Sequence, residues 1–159
     1  MGHMLEQYGD MASFASLREP AWHGLGTVID EAVSTQEMLE LAHLAGWNVR
    51  LEAVDLPGRS HREYFATVRT NPFDGESDVL GLVGERYNVL QNEELFTFGD
   101  NLLDGGRWET AGSIKNGTVV FGSLALDRQT DLDPKGRGDK VNNYLLVHTS
   151  HDGSLTIQA

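Results

Sequence analysis

Residues 92–126 read NEELFTFGDNLLDGGRWETAGSIKNGTVVFGSLAL, and this stretch decides the fold class. Asn92 is an N-cap type, and Glu93 and Glu94 complement the positive end of a helix. Leu95, Phe96, Leu102 and Leu103 make one apolar stripe that Gly105-Gly106 stops, which predicts a helix over 93–103. Trp108 to Ile114 alternates as a strand. Asn116-Gly117 is a strong type I′ hairpin signal, and Thr118 to Leu126 is the returning strand. A helix running straight into antiparallel strands is an α+β pattern.

The same order stands upstream. Ser34 and Glu37 make a capping box, and Met38, Leu41, Ala42 and Ala45 recur at helical spacing before Gly46, so a helix is expected over 35–45. Strands are expected over 47–56, with Trp47, Val49, Leu51 and Ala53 on one face, over 61–70, and over 79–90, where Gly81 and Gly84 mark a bulge or close packing. Downstream, 127–139 reads as a polar loop, 141–149 as a strand, and Asp152-Gly153 as a turn into Leu155–Gln158. The expected architecture is two helix-plus-antiparallel-strand units, with meander sheets packed against the helices. Met1–Met4 resembles a cloning scar, 5–33 an irregular arm with one short strand at Thr27–Ile29, and 34–159 the α+β domain. The alternation in 154–159 looks like a strand that begins and stops, so the domain is expected to continue beyond Ala159.

Composition narrows the function classes. The chain has 159 residues, 12 Lys+Arg and 24 Asp+Glu, a net charge of −12, and no Cys. Disulfides, thiolate nucleophiles and Cys-type zinc sites are excluded, and the absence of Cys fits a cytoplasmic setting. No apolar run approaches the ~20 residues of a membrane helix. Residues 74–110 hold nine acids (among them Glu93, Glu94 and Asp100) against Arg86 and Arg107, a run that reads as a solvated face or an acidic partner-binding surface mimicking DNA phosphates.

Motifs for chemistry are sparse. There is no nucleophile-elbow or phosphate-loop pattern, and no cofactor is indicated. His148, His151 and Asp152 are the metal-ligand types closest in sequence, but positions 148 and 151 of a strand face opposite ways. The cations available to nucleic acid are Arg59, Arg62, Arg69, Arg86, Arg137 and Lys140, with Tyr87 and Tyr64 to stack on bases.

Three motifs carry a resemblance. Ala21-Trp22-His23-Gly24-Leu25-Gly26, then Gly84-Glu85-Arg86-Tyr87-Asn88-Val89-Leu90-Gln91-Asn92, then Ser150-His151-Asp152-Gly153-Ser154, resemble in order the phage/plasmid-like protein family, whose defining domain is the domain of unknown function 932. The resemblance implies a mobile-element origin and a longer protein, but no activity and no catalytic residue. Three functions are therefore weighed, in this order: a non-enzymatic protein that binds or anneals single-stranded nucleic acid in a bacterial cytoplasm, an acidic module that engages a host protein, and a metal-dependent enzyme. Uncovered edge strands make homo-oligomerisation an option.

Overall fold

The structure is a computed structural model that describes residues 4–55, 57–58, 64–102, 106–131 and 140–159, with the side chains of 127–131, Lys140 and Val141 excepted. The fold is mixed α+β and dominated by sheet. The elements run β1 (Gln7–Tyr8), β2 (Met11–Ala12), β3 (Phe14–Leu17), β4 (Thr27–Ile29), α1 (Thr35–Leu41), β5 (Arg50–Ala53), β6 (Tyr64–Thr70), β7 (Ser77–Gly84), α2 (Asn92–Leu102), β8 (Arg107–Ile114), β9 (Val119–Asp131) and β10 (Lys140–Ser150). They form a β1-β2 hairpin, a three-stranded meander β5-β6-β7, and a five-stranded sheet in the order β10-β9-β8-β3-β4.

The N-terminal segment corrects the expectation of an irregular arm. It supplies four strands, and β3 is buried along its length between β8, to which it is antiparallel, and β4, to which it is parallel. The run Phe14-Ala15-Ser16-Leu17 is too short and too mixed to show a clear period of two, so only tertiary pairing makes it a strand.

α1 begins at the expected capping box, where Ser34 Oγ accepts from the Glu37 amide and the Glu37 carboxylate accepts from the Ser34 amide at 2.9 Å. It ends at Leu41 rather than 45, because His43 adopts φ +56 and closes a Schellman cap. The His43 amide donates to the Glu40 carbonyl and the Leu44 amide to the Leu39 carbonyl. Asn48 at φ +47 keeps Trp47–Val49 out of the sheet, so β5 is only Arg50–Ala53 and Leu51 is exposed. β9 runs to Asp131, past the loop expected from 127, because pairing with β10 carries a polar segment into the hairpin. Between β8 and β9 the link is the four residues 115–118, with the expected Asn116-Gly117 turn at its tip: Asn116 (φ +54) and Gly117 (φ +82) have the positive φ of a type I′ turn, and the Thr118 amide donates to the Lys115 carbonyl at 3.2 Å.

Both helices lie on one face of the five-stranded sheet. Phe96 of α2 stacks on Trp108 of β8 at a centroid distance of 4.4 Å. The indole fits because Gly99 and Gly122 leave room for it: a Cβ at either position would come within 2.7 Å of the ring. With Met38, Leu39, Leu44, Leu95, Leu124 and Val147 these residues form one buried core that also takes in Trp47 and Leu80 beside the meander.

A polar cluster joins the meander to the large sheet. Arg69 of β6 is 1% exposed. Its guanidinium forks onto both carboxylate oxygens of Glu6, donates to Asp78 Oδ2 (3.0 Å from Nη2), and lies 4.2 Å above the Trp47 ring. Ser113 of β8 donates to Glu6 at 2.8 Å, and Ser13 donates to the Ala42 carbonyl at 2.9 Å. Burial pulls the proton affinity of Arg69 down, but Glu6 and Asp78 more than restore it, so the group stays charged. Gly117, at φ +82, sits against the guanidinium, and a Cβ there would collide with it. A lysine cannot reproduce the planar fork or the stack on Trp47. Arg69→Lys should therefore cost about 2–4 kcal/mol of unfolding free energy by urea titration, well above the ±0.5 kcal/mol of an ordinary surface change.

Candidate functional site

The second and third sequence motifs, some sixty residues apart, meet in space. Gln91 occupies the cap of α2: its carbonyl accepts from the Leu95 amide, and its own amide donates to Glu94 at 2.7 Å. The Gln91 side chain also clasps the backbone of Val49, accepting from its amide at 3.0 Å and donating to its carbonyl at 2.8 Å. Asn92, expected as the cap, is instead the first helical residue and is buried. Its amide nitrogen donates to the Leu44 carbonyl at 2.8 Å, which leaves Oδ1 to accept from His151 Nε2 at 3.0 Å. That assignment places the imidazole proton on Nε2. Nδ1 is buried and finds no hydrogen-bond partner among the described residues. The Tyr87 hydroxyl donates to the Ser150 carbonyl at 3.1 Å, and Gly153 lies against its ring. Residues 86–90 together with 149–150, Gly153 and 155–157 line a largely apolar groove of about 340 Å³.

His151 is fully buried, with its ring 5.7 Å from Trp47. Burial first, and the Arg69 charge second, push its pKa down to about 4, with Asp152 opposing. His148 has its backbone paired with Gln158 and belongs to the opposite side of β10, level with Phe121. His148, His151 and Asp152 do not converge, and no group of three His, Cys, Asp or Glu able to hold a metal ion occurs among the described residues.

The other sequence candidates fall into three sets. Arg69 is sequestered in the ion cluster, so its proposed contact with nucleic acid is corrected: a guanidinium at 1% exposure has no access to a phosphate. Tyr87 is half-buried, with its hydroxyl donating to Ser150 and its ring in the wall of the groove, and Arg86 is exposed at the rim. Arg59, Arg62 and Arg137 lie outside the described residues, as does the Lys140 side chain. The three partner-binding carboxylates are engaged within the fold. Glu93 accepts from the Gly46 amide at 2.9 Å, Glu94 from the Gln91 amide, and Asp100 from Thr35 (2.6 Å) and the Trp108 indole (3.0 Å).

The outer face of the five-stranded sheet, away from the helices, holds what the sequence reading missed. Phe14, Gly112, Phe121 and His148 form one row across β3-β8-β9-β10, and Ser16, Thr110, Ser123 and Leu146 the next. Beyond them Arg18, Arg107, Glu109, Asn142 and Tyr144 line a cleft of about 350 Å³. Tyr144 and Leu146 are each 50% exposed. The available signal was the run Tyr144-Leu145-Leu146-Val147-His148: it is apolar or aromatic on both faces, although helices cover only one.

An α+β domain with helices on one sheet face and a polar-aromatic cleft on the other is the class these features define. The family model described as domain of unknown function (DUF932) matches residues 79–159, just over half of the chain, and the chain belongs to that family. The matched part runs from β7 to the C-terminal residue and contains both motifs of the buried junction. No curated protein and no solved structure matches the chain. No helix among the described residues is long and apolar enough to cross a membrane.

The junction has a measurable pH signature. An unfolded chain protonates His151 near pH 6.5, whereas the folded protein keeps it neutral down to about pH 4. Between those values the unfolded state binds more protons, so stability falls as pH falls, by roughly 3 kcal/mol at pH 4 from this group. In urea titrations at pH 7 and pH 4.5, His151→Gln should lose about 2 kcal/mol less on acidification than the parent protein. Equal losses would show that His151 is not held neutral.

Proposed function

We propose that this protein binds single-stranded nucleic acid on the outer face of its five-stranded sheet. The observation that carries the reading is the cleft at the sheet end, where Arg18 and Arg107 flank the half-exposed ring of Tyr144. Single-strand binders combine cations that track the phosphates with aromatic rings on which bases stack, and an open sheet face presents both. Asn142 and Glu109 in the same cleft offer hydrogen-bonding edges to a base, the carboxylate accepting from an exocyclic amine.

The net charge of −12 weighs against nucleic acid only where the acids face it. Glu6 and Asp78 are spent on Arg69, and Glu93, Glu94 and Asp100 on helix ends and Trp108. Within 74–110, Asp74, Glu76, Glu85 and Glu94 are exposed, and these are the carboxylates on which the alternative reading, an acidic partner-binding surface, rests. A phage or plasmid origin and a bacterial cytoplasmic setting accompany this proposal, as the sequence resemblance implies.

The test is anisotropy of a labelled single-stranded oligonucleotide across a salt series. Saturable binding at low salt is expected, weakening as salt rises. Arg18→Ala and Arg107→Ala should each lower the slope of log K against log salt by about 0.7, the value for one phosphate contact on a single strand. Absence of saturable binding at low salt would overturn the proposal.

A further inference from the structure

Among the three tryptophans, Trp47 (0% exposed) and Trp108 (3%) are core residues, while Trp22 is 82% exposed. An indole presented to water at that level is costly surface, and the local structure holds it in place rather than burying it. Trp22 meets the edge of the His23 ring at 5.5 Å, and His23 stands edge-on to Phe14 at 4.9 Å. Phe14 is on the outer face, because its strand neighbours Ala15 and Leu17 point into the core and its ring approaches Gly112 and Phe121. The Leu25 amide donates to His23 Nδ1 at 3.1 Å, which fixes the turn that carries both rings. Trp22 is therefore mounted on the same sheet face as the arginine cleft, at the opposite corner.

We infer that Trp22 is a second base-stacking platform, so that one single strand crosses the sheet diagonally from Tyr144 to Trp22. The inference rests on the proposed binding face. Its geometry follows from the register. Tyr144 and His148 are four positions apart on β10, about 13 Å. β3 lies three strands from β10, about 14 Å. The diagonal is then about 20 Å, a length that several nucleotides of extended strand cover and that suits the ~4–16-nucleotide sites of single-strand binders. Arg18 stands at the end of β3, level with Tyr144 and in the same cleft, where it meets a phosphate at the Tyr144 end of that path. A nucleic acid is favoured because cations and separated, exposed rings alternate on this face, matching the alternation of phosphates and bases along a single strand.

The position of Trp22 makes the test direct, since it alone among the tryptophans is open to an aqueous quencher. An oligothymidylate of about 12 nucleotides is titrated into the protein, and tryptophan emission, iodide quenching and oligonucleotide anisotropy are read together. Binding should quench the emission and protect the remaining signal from iodide. Trp22→Ala should weaken binding about tenfold or more, Trp22→Phe should recover part of it, and both should keep the parent unfolding midpoint. An oligothymidylate of about three nucleotides, too short for both corners, should bind the parent and Trp22→Ala alike. If the longer strand binds, is weakened by Tyr144→Ala, and yet leaves tryptophan emission and Trp22→Ala affinity unchanged, the second platform is overturned and the cleft stands. If no oligonucleotide binds, both are overturned.

Discussion

A guanidinium with almost no access to water must have its charge answered by protein, and the arrangement around Arg69 follows from that requirement. Desolvation of an ion is costly enough that a buried one survives only when its geometry and hydrogen bonds are nearly complete. Here two carboxylates and an aromatic face supply them. Glu6 comes from the N-terminal segment, Asp78 from β7, and Trp47 from the turn before β5. One side chain thereby ties the N-terminal segment to the meander in which Arg69 and Asp78 are cross-strand partners. The same guanidinium also leaves room only for glycine at 117, which shapes the β8–β9 link.

The cluster continues into the family motifs through Trp47. One side of this residue's surroundings is Arg69, and another is His151, whose Nε2 holds Asn92 at the start of α2. Burial first, and the neighbouring charge of Arg69 second, keep that imidazole neutral. The residues that look most reactive in the sequence are therefore parts of a structural lock that sets α2 and the last hairpin against the meander. The proposed binding face lies apart from this lock, on the outer side of the five-stranded sheet, where a platform held on strands would lose little entropy when a base stacks on it.

Much of the fold was legible where a short-range rule governed it. The Ser34–Glu37 capping box, the α2 stripe and the β6–β7 and β8–β9 pairings came from local periodicity and end signals. The elements that escaped, β3 above all, are strands only because distant partners pair with them. The candidate site was less legible. Arg69 reads as an ordinary surface cation until Glu6, 63 positions away, is seen against it. Glu94 meets the helix start as its position suggests, but the contact of Glu93 with the Gly46 amide, 47 positions away, has no local signal. Arg18, Arg107 and Tyr144 come from three strands whose adjacency depends on β3 joining the sheet, so no linear spacing announces the cleft.

The central claim, that Glu6 and Arg69 weld the N-terminal segment to the meander, is tested most directly by a double-mutant cycle. Unfolding free energies of the parent, Glu6→Gln, Arg69→Met and the double variant are measured by urea titration at neutral pH. The account predicts a coupling energy of about 2 kcal/mol or more, with the double variant far less destabilised than the sum of the singles, because each single leaves a buried charge without its partner. Additivity within about 0.5 kcal/mol would mean that the two side chains do not share one buried ion pair, and would contradict the account.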